Sequence, residues 1–164
     1  MKTIIMVLVI AVVALSCSKN EKPIKGFVYE VNVDFNILNQ NGEDLLNSKT
    51  SGYFPFEDMK LFYLINGEKV EVFDPNLDFP RSIMLITETS PYTLRCFTSS
   101  SEEGFTHEEN GLKIGTATAY LQLNVNDTDT LITEWTSGDY SFVNSEIWYN
   151  GEFHERGSKF QIIK

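Results

Sequence analysis

The sequence predicts an all-β domain. Three observations carry that expectation. The stretch "GFVYEVNVDFNILN" alternates with strict period two: Phe27, Tyr29, Val31, Val33, Phe35 and Ile37 share one parity, and Val28, Glu30, Asn32, Asp34 and Asn36 share the other. A helix would scatter those apolar residues around its surface. Asn66-Gly67 lies between two β-rich runs, and a type I′ turn needs positive φ at both central positions, which Asn and Gly accept. Turn residues then recur between short apolar runs, and no long stretch carries the 3.6-residue helical period.

The first segment stands apart from the domain. After Lys2, the run Ile4 to Leu15 is apolar and uncharged. A bilayer-spanning helix needs roughly 20 residues, so the run is too short to cross. It fits the apolar region of a secretory signal peptide spanning 1–16. The sequence Val13-Ala14-Leu15-Ser16-Cys17 resembles the lipobox of bacterial lipoproteins, with Leu15 one place later than in the commonest pattern. That resemblance implies lipidation of Cys17, cleavage before it, acylation of the new amine and attachment to a membrane by the acyl chains. More than one chain gives stable anchoring. An ordinary signal peptide would favour a small-residue cut site such as A-x-A, which is missing here. Residues 17–25 read as a polar, lipidated tether. Ser18 stands where Asp commonly marks retention in the inner membrane, so the resemblance implies the outer membrane. Glu21 lies between Lys19 and Lys22, which leaves periplasmic and surface-exposed orientations both open.

The remaining residues, 26–164, are expected to form a single β domain, long enough to bury its own core. After the first strand, Asn41-Gly42 marks a turn, and a helical turn is expected over 43–47. "YFPF" at 53–56 reads as a plug over one end of the domain. "MKLFYLINGEKVEVFD" is the hairpin, and "DPNLDFP" ends it with two prolines. "RSIMLITE" and "PYTLRCFTS" are strands separated by Ser90-Pro91. The acidic, glycine-containing stretch 99–113 reads as a long loop. "TATAYLQLNV", "TLITEW" and "YSFVNSEIWYN" are strands divided by "NDTD" and "TSGD", and "SKFQIIK" closes the sheet. About nine short strands of this kind suggest a sandwich or a barrel. An immunoglobulin-like β-sandwich with long loops is the first expectation and a lipocalin-like barrel the alternative.

"NGEDLLN", the "KLFYLINGEKV" hairpin and the C-terminal "DTLITEW…EIWYNGEF", together with the lipobox, resemble small uncharacterised lipoproteins of gut-type Gram-negative bacteria. The resemblance implies an exported β-rich domain and assigns no catalytic residue.

Charge narrows the partners. The chain carries 13 Lys+Arg against 23 Asp+Glu, a formal charge of −10. That argues against nucleic acid, whose phosphates require basic surface, and against docking on anionic lipid. With Cys17 taken by lipid, Cys96 has no partner for an internal disulfide. It reads as a buried strand residue facing away from Arg95.

Chemistry is sparse. His107 lies among Glu102, Glu103, Glu108 and Glu109, a pattern that reads as a solvated acidic patch before a metal site. His154-Glu155-Arg156 lacks the second His of H-E-x-x-H. The oxygens of "NVNDTDT" invite calcium. The EF-hand pattern fails, because Asp129 stands where Gly is needed and Trp135 where Glu is needed, so a hairpin turn is expected. No catalytic motif, metal site or cofactor is read from the sequence. A hydrolase with a spatially paired carboxylate couple is the weaker alternative. Two aromatics break the alternation. Trp148 shares parity with Glu146 and Asn150, and Tyr120 with Gln122 and Asn124. Both are expected on a wet sheet face, as candidate ligand-binding residues for a glycan or an envelope protein. The functional expectation is a lipid-anchored, non-enzymatic binding module of the cell envelope. A structural or assembly subunit of an outer-membrane complex is the alternative.

Overall fold

The computed structural model describes residues 26–99 and 104–164. The expected signal segment, Cys17 and the expected tether lie outside the described residues. Those residues form twelve strands and one short 3-10 turn, Phe56–Asp58. In chain order the strands are β1 (Val28–Glu30), β2 (Asn32–Leu38), β3 (Lys60–Ile65), β4 (Glu68–Glu71), β5 (Ile83–Ile86) and β6 (Thr93–Phe97). They continue with β7 (Phe105–Glu109), β8 (Leu112–Asn124), β9 (Asp127–Gly138), β10 (Ser141–Tyr149), β11 (Glu152–Glu155) and β12 (Phe160–Ile163).

The strands form two open sheets. The larger has eight strands along the path β1-β10-β9-β8-β3-β4, with β11 also on β10 and β7 also on β8. The smaller has the order β12-β2-β6-β5. The architecture is therefore an all-β sandwich, and neither sheet closes into the alternative barrel. Most pairs are antiparallel, but β1 runs parallel to β10 and β12 parallel to β2.

Twelve strands replace the nine expected, for three physical reasons. The first predicted strand is divided at Val31: β1 joins the large sheet and β2 the small one. Val31, Val33, Phe35 and Ile37 are buried as the alternation predicts, whereas Phe27 and Tyr29 are not. The expected loop 99–113 contains β7 and the start of β8, a hairpin exposed on both faces. With neither face buried, no alternation marks it. β11 is the third addition. The hairpins β3–β4, β7–β8 and β10–β11 share one turn chemistry. Asn66-Gly67, Asn110-Gly111 and Asn150-Gly151 all hold positive φ at both residues, the geometry of a type I′ turn.

The core lies between the sheets. Phe35, Ile37, Leu94 and Cys96 from the small sheet meet Leu61, Leu121, Leu123, Leu131 and Ile147 from the large one. Each fully buried side chain of this size contributes about 1.5–3 kcal/mol. Where a helical turn is expected at 43–47 the chain makes an isolated turn and no helix, with Asn47 N–H donating to the Asp44 carbonyl at 3.3 Å and Leu46 N–H to Asp44 Oδ1 at 2.9 Å. Leu38 bridges to Asp44, and Leu45 N–H donates to the Ile37 carbonyl at 2.8 Å. Leu45 and Leu46 thereby enter the core, and the partly buried Phe54 and Phe56 of the "YFPF" plug pack against it. A smaller cluster holds Val31, Trp135 and Phe142. It depends on Gly115, the cross-strand partner of Trp135. A Cβ there would stand 2.1 Å from the indole.

Candidate functional site

The outer face of the large sheet is built by the even-numbered residues of its central strands. Ala119, Leu121, Leu131, Thr133, Ile147 and Tyr149 point inward, so Tyr120, Ile132 and Trp148 point outward. Cross-strand register sets two adjacent rows. One runs Phe153, Trp148, Ile132, Thr118 across β11, β10, β9 and β8. The next runs Thr130, Tyr120, Phe62 across β9, β8 and β3. Trp148 and Tyr120 thus share one face, two strands and one same-face step apart, roughly 12 Å between their backbones.

This face is a ring-bearing platform with polar margins. Trp148 meets Phe153 edge-on with centroids 5.8 Å apart. Lys69 Nζ stands 4.5 Å from the Phe62 ring centroid and 4.7 Å from that of Tyr120, a cation–π arrangement. Tyr120 and Trp148 are half-buried, flanked by sheet neighbours rather than covered by a strand. Glu155, Glu146 and Glu134 form the next row beyond Trp148, and Ser145 Oγ donates to Glu134 Oε1 at 2.9 Å.

A second aromatic site opens at the end of the sandwich. Tyr29 of β1, Tyr63 of β3, Phe97 of β6 and Phe79 of the 74–82 loop line a cleft of about 390 Å³, with Asp78 and Ser82 beside them. Phe79 stacks on Phe97 at 5.9 Å. Tyr63 donates its hydroxyl to the Phe97 carbonyl at 2.7 Å, and Tyr29 donates to the Ser99 carbonyl at 3.2 Å. Burial pushes the Tyr63 phenol up to about 12, and a hydrogen bond with Ser82 offsets part of that rise. Ser82 holds φ at 51°, an uncommon conformation for a residue with a Cβ. It is fixed there by its N–H to the Phe79 carbonyl and its carbonyl to Phe97 N–H, both 2.9 Å.

The sequence offered weak signals for this cleft. Its rings come from four separate elements. Tyr29 continues an alternation that reads as core, and only Phe79, an aromatic before Pro80 in a polar loop, stands out.

The opposite end is closed by a buried polar knot. Asp129 is 3% exposed. Its carboxylate accepts from the Tyr149 hydroxyl, from Asn150 Nδ2 at 2.7 Å and from Lys164 Nζ at 2.8 Å. Lys164 Nζ also reaches Asp127 at 2.7 Å. Burial lowers the Lys164 pKa, but the hydrogen bonds to Asp127 and Asp129 outweigh it and hold the ammonium above its ordinary value. Burial, then the Asp129 contact, pushes the Tyr149 phenol far up. The turn 124–129 closes on itself, with Asn126 N–H donating to Asn124 Oδ1 at 2.8 Å. Its two aspartates are directed to a lysine rather than to a cation from solution.

The remaining candidates are dispersed. His107 sits on exposed β7, 3.1 Å from the Thr106 hydroxyl. His154 stacks on Phe160 at 3.7 Å. Three strands of the large sheet separate β7 from β11, so the two histidines share no site. Among the described residues no group of three His, Cys, Asp or Glu is placed to hold a metal. Glu30 and Asp34 converge on a polar cleft of about 220 Å³. Asp34 is bidentate with Arg95, at 2.8 and 2.7 Å, and Glu30 pairs with Arg156 at 2.6 Å. Cys96 is fully buried, which raises its thiol pKa and leaves it protonated.

Among the described residues no helix is long and apolar enough to cross a membrane. Compared with known proteins, the chain matches no family model, no curated protein and no solved structure.

Proposed function

We propose that the chain is a lipid-anchored, non-enzymatic binding module of the outer membrane, and that the outer face of its large sheet takes a glycan. The observation that supports this reading is the register placing Phe153, Trp148, Ile132, Tyr120 and Phe62 in two adjacent rows of one face. A sugar presents an apolar C–H face and a hydroxyl rim. The rings suit the first, and the threonines and glutamates among and beside them suit the second. Half-exposed aromatics on a rigid sheet lose little entropy on binding, which favours them as contact residues. The anchor follows from the Cys17 lipobox resemblance.

Titration of the purified protein with envelope oligosaccharides tests the platform. Trp148→Ala and Tyr120→Ala should each weaken binding about tenfold, a loss of about 1.4 kcal/mol. Glycan binding unchanged in both variants removes the platform reading. If the same variants instead release an envelope protein, the occupant is that protein. The anchor has a separate test. Cys17→Ala should abolish metabolic labelling by a fatty-acid analogue, and retained label would remove the lipoprotein reading.

A further inference from the structure

The end cleft has a chemistry of its own, independent of the outer-face reading. Its volume of about 390 Å³ falls within the range of small-molecule sites. Four aromatic rings line it, and each carries negative potential on its faces. Both tyrosine hydroxyls spend their protons on backbone carbonyls, Tyr63 on Phe97 and Tyr29 on Ser99. What the phenols can still offer a ligand is oxygen lone pairs. Asp78 adds a carboxylate. Among the described residues no lysine or arginine lines the cleft, and no cation pairs with Asp78. Nearby Arg81 is held elsewhere, with Nη1 donating to the carbonyls of Phe56, Glu57 and Met59 at 3.0 Å each. Apart from the Ser82 and Ser99 hydroxyls, the side-chain lining is apolar in body and electronegative in its polar groups.

The geometry points to a binding site for a small organic cation, an ammonium carried on an apolar body, in the cleft formed by Tyr29, Tyr63, Phe79 and Phe97 with Asp78 at its margin. The rings attract the cation and shed its water. The phenol oxygens and the carboxylate accept any N–H it carries, and a quaternary ammonium is held by the rings and Asp78 alone. A neutral ligand of the same shape gains only the burial, and an anion meets repulsion.

The test follows the ring resonances of Tyr29, Tyr63 and Phe79 by NMR on titration of the purified protein. The probes are choline and its neutral analogue, in which a quaternary carbon replaces the nitrogen, with benzenesulfonate as an aromatic anion. Choline should shift these resonances saturably and bind at least about tenfold more tightly than its carbon analogue. Benzenesulfonate should leave them unmoved. Asp78→Asn and Phe79→Leu change exposed side chains, so both variants should fold. Each should weaken choline about three- to tenfold, whereas Trp148→Ala should leave it unchanged. Equal binding of the charged and neutral probes overturns the proposal. So does an absence of shifts with choline, or wild-type affinity in both cleft variants.

Discussion

The two ends of the sandwich differ in how they handle polar groups. β2 runs from one to the other: Asn32 stands beside Phe97 at the cleft, and the Leu38 carbonyl accepts from Lys164 N–H at the knot. The ends are therefore separated by roughly 20 Å of strand. At the knot, Asp129, Tyr149, Asn150 and Lys164 satisfy one another, and little is left to offer a ligand. At the cleft, aromatic rings and phenol oxygens remain turned toward the opening. The knot ties Lys164, just beyond β12 of the small sheet, to Asp129 on β9 of the large one. The other end is then free to carry a site whose groups are not optimised for stability.

The sharpest way to break this contrast is to disarm the closed end. Asp129→Ala removes the acceptor shared by three donors and leaves the Tyr149 hydroxyl buried without it. It should cost about 3–5 kcal/mol, read as a lower urea midpoint with an unchanged m-value. Lys164→Met leaves Asp129 its Tyr149 and Asn150 donors, so the loss should be smaller, about 2 kcal/mol.

The ends also answer alkali together. Tyr63, Tyr149 and Lys164 all have pKa values raised in the folded state. Above about pH 10 the unfolded chain loses these protons first, so it binds fewer than the native state and stability falls as pH rises. Tyr63→Phe should lessen that fall between pH 10 and about 12. An identical pH profile in the variant would show that Tyr63 is not protected in the cleft.

The smallest effect sharpens the contrast. Phe79→Leu, at a ring 40% exposed, should change stability by less than about 1 kcal/mol. A loss as large as that of Lys164→Met would make the cleft part of the structural core.

These differences track what the sequence could reveal. Trp148 and Tyr120 were legible because each carries a ring at a polar parity, and parity is local. Lys164 and Asp129 were not, because their contact joins residues 35 positions apart and nothing in "NDTD" names a lysine. Tyr29 lies on the apolar parity yet is exposed. Its alternation with Val31 is unbroken, yet the chain changes sheets between them. β7 escaped because no face of it is buried, although its Asn110-Gly111 turn carries the same signature that identified Asn66-Gly67.

The break at Val31 bears on the order in which this chain can fold. β1 and β2 are made early, but Val28 pairs beside Ser141 and Phe35 beside Phe160. β1 must wait for β10, and β2, which can pair earlier with β6, must wait for β12 to cover its other edge, both more than 110 residues downstream, and such distant closures slow folding more than they lower stability. A circular permutant that makes β1 and β2 follow β12 would keep every native contact while bringing those partners close in sequence. It should fold faster than the natural order and reach the same sandwich.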